Sequence, residues 1–178
     1  MNIIQTKLPG CVVIEPKVFG DERGFFLETF HVSRYEQLLG ISTPFVQDNY
    51  SRSSKHVLRG LHFQKRKQQG KLVRVVRGEV YDVAVDIRKE SPTFGQWESI
   101  ILSEENKKQM WIPPGFAHGF LVLSESADFE YKCTDYYDRS DEGSILWNDS
   151  DLNVSWPVVK PLISEKDSKA ALFSELQS

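Results

Sequence analysis

The chain has 178 residues, of which 40% are hydrophobic and 12% aromatic, a composition that fits one domain with a sizeable core and excludes a disordered polypeptide. Its formal net charge is -3, with a pI near 5.8. Proteins that coat nucleic acid carry a basic excess or stripe, so no nucleic-acid partner is expected; the scattered cations suit a small phosphorylated ligand better. No stretch approaches the ~20 apolar residues of a membrane span, and residues 1–10 lack the charged head and apolar run of a secretory signal. Cys11 and Cys133 form neither a CxxC nor a zinc spacing, which points to a reduced, cytoplasmic setting.

In chain order, the first feature is the aromatic run over residues 18–30. It is too strand-like to stand as an arm in water, and pairing with a partner subunit's sheet edge would give a homodimer. Residues 32–39 predict one short helix, with Ser33 as cap and Gly40 at its end. Alternating apolar and polar runs then recur at 71–77, 80–88, 97–102, 119–123 and 129–134, with a turn at Gly78 and Glu79. This is the pattern of an all-β sandwich or barrel. A second helix is expected over 166–176. There is no linker, repeat or low-complexity tract, so residues 1–178 read as a single domain.

Two segments carry most of the chemistry: Arg59-Gly-Leu-His-Phe-Gln64 and Pro113-Pro-Gly-Phe-Ala-His118. They resemble the two halves of a cupin barrel site whose metal ligands are missing. A metal cupin supplies His-x-His and then a Glu; here Gln64 replaces the second His, and residues 65–71 contain no carboxylate. His62 and His118 alone make a poor metal site, since protein metal sites need three or more N, O or S ligands. His62 is thereby free to move protons.

Strand alternation puts Leu58, Gly60, His62 and Gln64 on one face and Arg59 on the other, unless the strand is bulged. Tyr131 shares a face with Phe129 and Cys133, and Lys71 with Val73 and Val75. Each has a bland alternative: a buried structural histidine, a core tyrosine, a snorkelling surface lysine. Each also has a chemical one, since a phenol among apolar neighbours can exchange a proton and a cleft-facing ammonium can hold an oxyanion. Arg23, Arg52, Arg59, Arg74 and Arg77 offer guanidinium forks suited to a diphosphate, a weak signal by itself. On residue grounds Asp167 is only an acid at a helix start.

Taken together, Phe19-Gly-Asp-Glu-Arg-Gly-Phe-Phe-Leu-Glu28, Gln47-Asp-Asn49, Leu58-Arg-Gly-Leu-His-Phe-Gln64, Gly70-Lys-Leu-Val-Arg74, Asp82-Val-Ala-Val-Asp-Ile-Arg88, Trp111-Ile-Pro-Pro-Gly-Phe-Ala-His-Gly-Phe120 and Tyr131-Lys-Cys-Thr-Asp-Tyr-Tyr137 resemble the dTDP-4-dehydrorhamnose 3,5-epimerase family. The resemblance runs from about residue 19 to residue 167. It implies a cupin, or double-stranded β-helix (jelly-roll) barrel, with a few short helices. It also implies a homodimer and an isomerase that needs neither metal nor cofactor. The implied substrate is dTDP-4-dehydro-6-deoxyglucose, inverted at C3 and C5 on the way to dTDP-rhamnose and cell-surface polysaccharide. By the same resemblance His62 is the base, Asp167 orients it, Tyr131 is the acid and Lys71 holds the C4 enolate oxygen. Arg23, Glu28, Gln47, Asp48, Asn49, Arg59, Lys71, His118, Glu142 and Lys166 would contact the nucleotide sugar, with Tyr137 stacked on thymine. Three competing readings are an epimerase acting on one carbon only, a non-catalytic sugar-nucleotide-binding cupin, and a metal-dependent cupin, against which Gln64 and the missing Glu argue.

Overall fold

A computed structural model describes residues 1–176. The elements run β1 (Asn2–Gln5), β2 (Val12–Glu15), β3 (Val18–Asp21), β4 (Gly24–Leu27), α1 (Val32–Leu39), β5 (Gln47–Ser54), β6 (Leu58–Gln64), β7 (Lys71–Arg77), β8 (Glu79–Asp86), β9 (Trp97–Ser103), β10 (Gln109–Ile112), β11 (Phe116–Val122), β12 (Ser126–Cys133), β13 (Glu142–Ser144) and α2 (Glu165–Ser168), followed by a 3-10 turn at Phe173–Leu176. Six strands form one sheet in the order β1-β2-β10-β7-β12-β5, and five form a second in the order β13-β6-β11-β8-β9. From β5 onward the chain crosses between the sheets at nearly every connection, which winds it into the expected jelly roll.

The inner faces of both sheets meet in the main core. Val73, Val75, Met110, Ile112 and Phe129 pack there against Val80, Ala84, Phe116, Phe120 and Val122. The rings of Phe120 and Phe129 stack with centroids 4.2 Å apart, a contact worth about 0.5–1.5 kcal/mol beyond its buried area. A second cluster covers the outer face of the five-stranded sheet, where Ile145, Leu152, Val154, Trp156 and Phe173 pack on Leu61, Phe63, Val83 and Leu121. That double burial explains why β11 is buried along its whole length rather than alternating. The outer face of the six-stranded sheet is covered by α1, whose Tyr35 packs with Val12, Ile14, Leu72 and Trp111.

Three local expectations change. Helix α1 has the predicted span and ends on Gly40 in the left-handed region, but its N-cap is His31, without a side-chain cap bond, rather than Ser33. The second helix shrinks to α2. Ala171 is taken into a parallel bridge with Ile145, and the Phe173 N–H donates to Asp149 Oδ2 at 2.9 Å, so neither backbone can join one helical ladder. Leu58 does not share a face with His62: Leu58, Leu61 and Phe63 all enter the outer cluster, whereas Arg59 and His62 line an inner cleft. The switch occurs at Gly60, whose φ of +137° favours glycine and whose Cα side lies so close to Gly119 that an added Cβ would fall 2.5 Å from its Cα. The β6–β11 register shifts at the same place.

Strands β3 and β4 pair only with each other. Their hairpin holds Phe25 and Phe26 at 61% and 70% exposure.

Candidate active site

A cleft of about 280 Å³ opens between the sheets. Asn49, Lys71 and Tyr131 reach it from the six-stranded sheet, and Arg59, His62 and His118 from the five-stranded one. His62 lies directly opposite His118 on β11 and Ser144 on β13. Its Nε2 is 2.6 Å from Oδ1 of Asp167, which is buried at 3% exposure. The short helix that carries Asp167 is capped by Ser164, whose hydroxyl accepts the Asp167 N–H at 3.0 Å. Burial pushes the Asp167 carboxyl up, but hydrogen bonds from His62, Ser164 and the Gly60 amide outweigh it and hold it below the usual carboxylate value. The carboxylate therefore stays ionised beside the imidazole, fixing its tautomer and ring orientation.

Lys71 opens β7 on the face of Val73 and Val75, as alternation predicts, and its ammonium makes no hydrogen bond or ion pair among the described residues. Burial lowers its pKa, against the opposing pull of Cys133, Asp82 and Glu142. Tyr131 sits opposite Asn49 on β5 and Val73 on β7, with its ring 6.0 Å from that of Phe129. Burial raises its phenol to about 12, so it is protonated at neutral pH. His118 is buried with Nε2 at 3.0 Å from Oδ2 of Asp82.

At the rim, Glu142 pairs with Lys166 and accepts the Tyr137 hydroxyl at 2.8 Å. Gln47 Oε1 accepts the Tyr137 N–H at 2.9 Å, while its amide nitrogen donates to Asn49 at 3.0 Å. Arg59 donates to Ser53 at 3.0 Å and has no carboxylate partner among the described residues, which leaves its guanidinium free for an anion.

Other candidates stand apart from the cleft. Asp48 alternates away from Asn49 and pairs with Lys132 at 2.9 Å. Arg52 forks onto Asp128 at 2.6 and 2.7 Å, and Arg74 donates to Glu130 at 2.8 Å. Arg23 sits on the β3–β4 hairpin against Asp21, and Glu28 lies 3.0 Å from Arg34. Gln64 does not line the cleft either; its amide binds backbone groups of the neighbouring loops. Sequence reasoning missed Tyr50, Ser51 and Phe120 as cleft components, and Asp82 as the buried partner of His118. For Asp82, an acid inside the apolar run 80–88 was the one available signal.

An imidazole on one wall, facing a phenol and an ammonium on the other, has the group types that proton exchange on opposite sides of a bound carbon acid requires. Residues 5–175 match the model of the dTDP-4-dehydrorhamnose 3,5-epimerase family. The chain belongs to that family. The enzyme of this name from Salmonella typhimurium is 58% identical, over 98% of this chain and 97% of its own. A dTDP-6-deoxy-D-glucose-3,5-epimerase of Legionella pneumophila, solved in complex with dTDP-4-keto-L-rhamnose, is 59% identical with a TM-score of 0.95, covering 98% of this chain and 96% of that one. A 3'-monoepimerase from Streptomyces bikiniensis, in complex with dTDP-quinovose, has a TM-score of 0.91 but only 32% identity, over 97% of this chain and 88% of that one. The fold is thus common to double and single epimerases, and the higher identity lies with the double ones. The chain is an epimerase of the isomerase class.

Proposed function

We propose that this epimerase inverts both C3 and C5 of dTDP-4-dehydro-6-deoxyglucose, giving dTDP-4-dehydrorhamnose for polysaccharide synthesis. The observation that carries the mechanism is the two-walled cleft, with His62 on one sheet and Lys71 and Tyr131 on the other. Asp167 holds His62 through one ring nitrogen, leaving the second to take the α-proton. C3 and C5 both flank the C4 ketone, so one Lys71 ammonium at the developing enolate oxygen serves both deprotonations. Tyr131, kept protonated by its burial, returns a proton from the far side. A positioned acid–base pair of this kind supplies roughly 10²–10⁴-fold.

Arg59 and Lys166 would hold the diphosphate, with Gln47, Asn49, His118 and Glu142 around the sugar and Tyr137 against the base. Turnover of dTDP-4-dehydro-6-deoxyglucose in D₂O tests the whole scheme. Deuterium is expected at C3 and at C5; label at one carbon only would make this a single epimerase, and none would make it a binding protein.

A homodimer fits two further features. The β3–β4 hairpin exposes Phe19, Phe25 and Phe26, and β5 is an uncovered sheet edge, so a second copy would bury both. It would also bring Arg23 and Glu28, which lie away from their own cleft, toward the partner's. Phe25→Asp with Phe26→Asp is expected to turn a sedimenting dimer into a monomer; a monomeric parent would end this proposal. Among the described residues no helix is long and apolar enough to cross a membrane. Cys11 and Cys133 are both free and buried, which fits the proposed reducing, cytoplasmic setting.

A further inference from the structure

Gln64 stands two residues beyond His62 and is buried at 5% exposure. Its Nε2 donates to the Lys67 carbonyl at 2.6 Å and to the Tyr136 carbonyl at 3.2 Å, and its Oε1 accepts the Asp138 N–H at 2.6 Å. Two of these bonds bracket Tyr137 from its neighbours on either side, and the third ties the loop that leaves β6. Only a neutral amide offers both donors and an acceptor on one planar group at this spot. The rest of Tyr137 is fixed from the same strand neighbourhood: its hydroxyl goes to Glu142, which pairs with Gln64 in the β13–β6 register.

We propose that Gln64 is a positioning residue, which holds the 136–138 turn so that Tyr137 stands at the mouth of the cleft in the geometry that receives the nucleotide base. The position that would be a metal ligand in other cupins thus acts on substrate binding, through backbone groups more than 65 residues away in sequence, as the separation of 72 between Gln64 and Tyr136 illustrates. Strand β6 then serves both ends of the substrate: His62 toward the sugar, and Gln64, by way of Tyr137, toward the base. This rests on the assignment of Tyr137 to the nucleotide made above.

Gln64→Met keeps the side chain's length and removes all three bonds; Gln64→Glu keeps the acceptor and loses the donors. Both are expected to raise KM for dTDP-4-dehydro-6-deoxyglucose about tenfold while kcat at saturation stays within about threefold of the parent. Tyr137→Ala should raise KM alone, and adding Gln64→Met to it should cost less than about twofold more, because both changes remove one interaction. A fall in kcat with KM unchanged, or KM penalties that multiply in the double variant, overturns the proposal. If Gln64→Met does not fold, as judged by its thermal melt, the Gln64→Glu pair with Tyr137→Ala gives the same comparison. If Tyr137→Ala leaves KM unchanged, the nucleotide assignment of Tyr137 fails first, and that outcome is distinguishable because it does not involve Gln64 at all.

Discussion

Replacing His62 by Asn should lower kcat by the full 10²–10⁴-fold that a positioned base contributes, while affinity for dTDP changes little. Deuterium uptake at C3 and C5 should fall together, because a single imidazole is asked to take both protons. Asn is the better probe than Ala. The Asp167 carboxylate beneath the ring is buried and 2.6 Å from Nε2, and leaving such a group short of a donor costs about 1–3 kcal/mol. A side chain that retains an N–H limits that loss, and a thermal melt close to the parent's would show that chemistry rather than folding was lost. Undiminished exchange at either carbon would remove His62 from the role of base for that carbon. His118 is the other imidazole in the cleft, but its side chain is only 8% exposed against 31% for His62.

The parts of this site legible in the sequence are those that follow from local alternation. Lys71, Val73 and Val75 on one strand, and Phe129, Tyr131 and Cys133 on another, point inward as period two requires, since both strands sit in regular ladders. Alternation failed at Arg59 and His62. The close approach of Gly60 to Gly119 depends on two segments 59 residues apart (119 − 60), and a glycine in a strand is compatible with either a bulge or a regular pleat. Asp167 was beyond local reasoning for the same cause: its contact with His62 spans 105 residues, and the four-residue helix that carries it has no periodicity to read. Gln64 was recognised as unusual, but its partners are backbone atoms, which leave no mark on residue type. Glu28 was named by resemblance alone and Arg23 otherwise only as one of five candidate diphosphate forks, and a single chain leaves both outside the cleft.

Lys71→Met should reduce kcat by about 10²–10³-fold, the usual cost of removing one donor aimed at a developing oxyanion, equivalent to roughly 3–4 kcal/mol. The loss should be equal at C3 and C5, since either deprotonation places its charge on the same C4 oxygen. The pH profile supplies an independent signature. Burial pushes the Lys71 ammonium below the ordinary lysine value, and only the charged form can hold an enolate. Raising the pH therefore discharges it, and the parent's activity should decline before an unperturbed lysine would titrate, near 10.4. Tyr131 cannot supply that limb, because its phenol is raised to about 12. The residual rate of Lys71→Met should lack the limb altogether. If it persists, or if exchange slows at one carbon alone, the ammonium is not the shared enolate partner, and the two epimerisations would have to be stabilised by different groups.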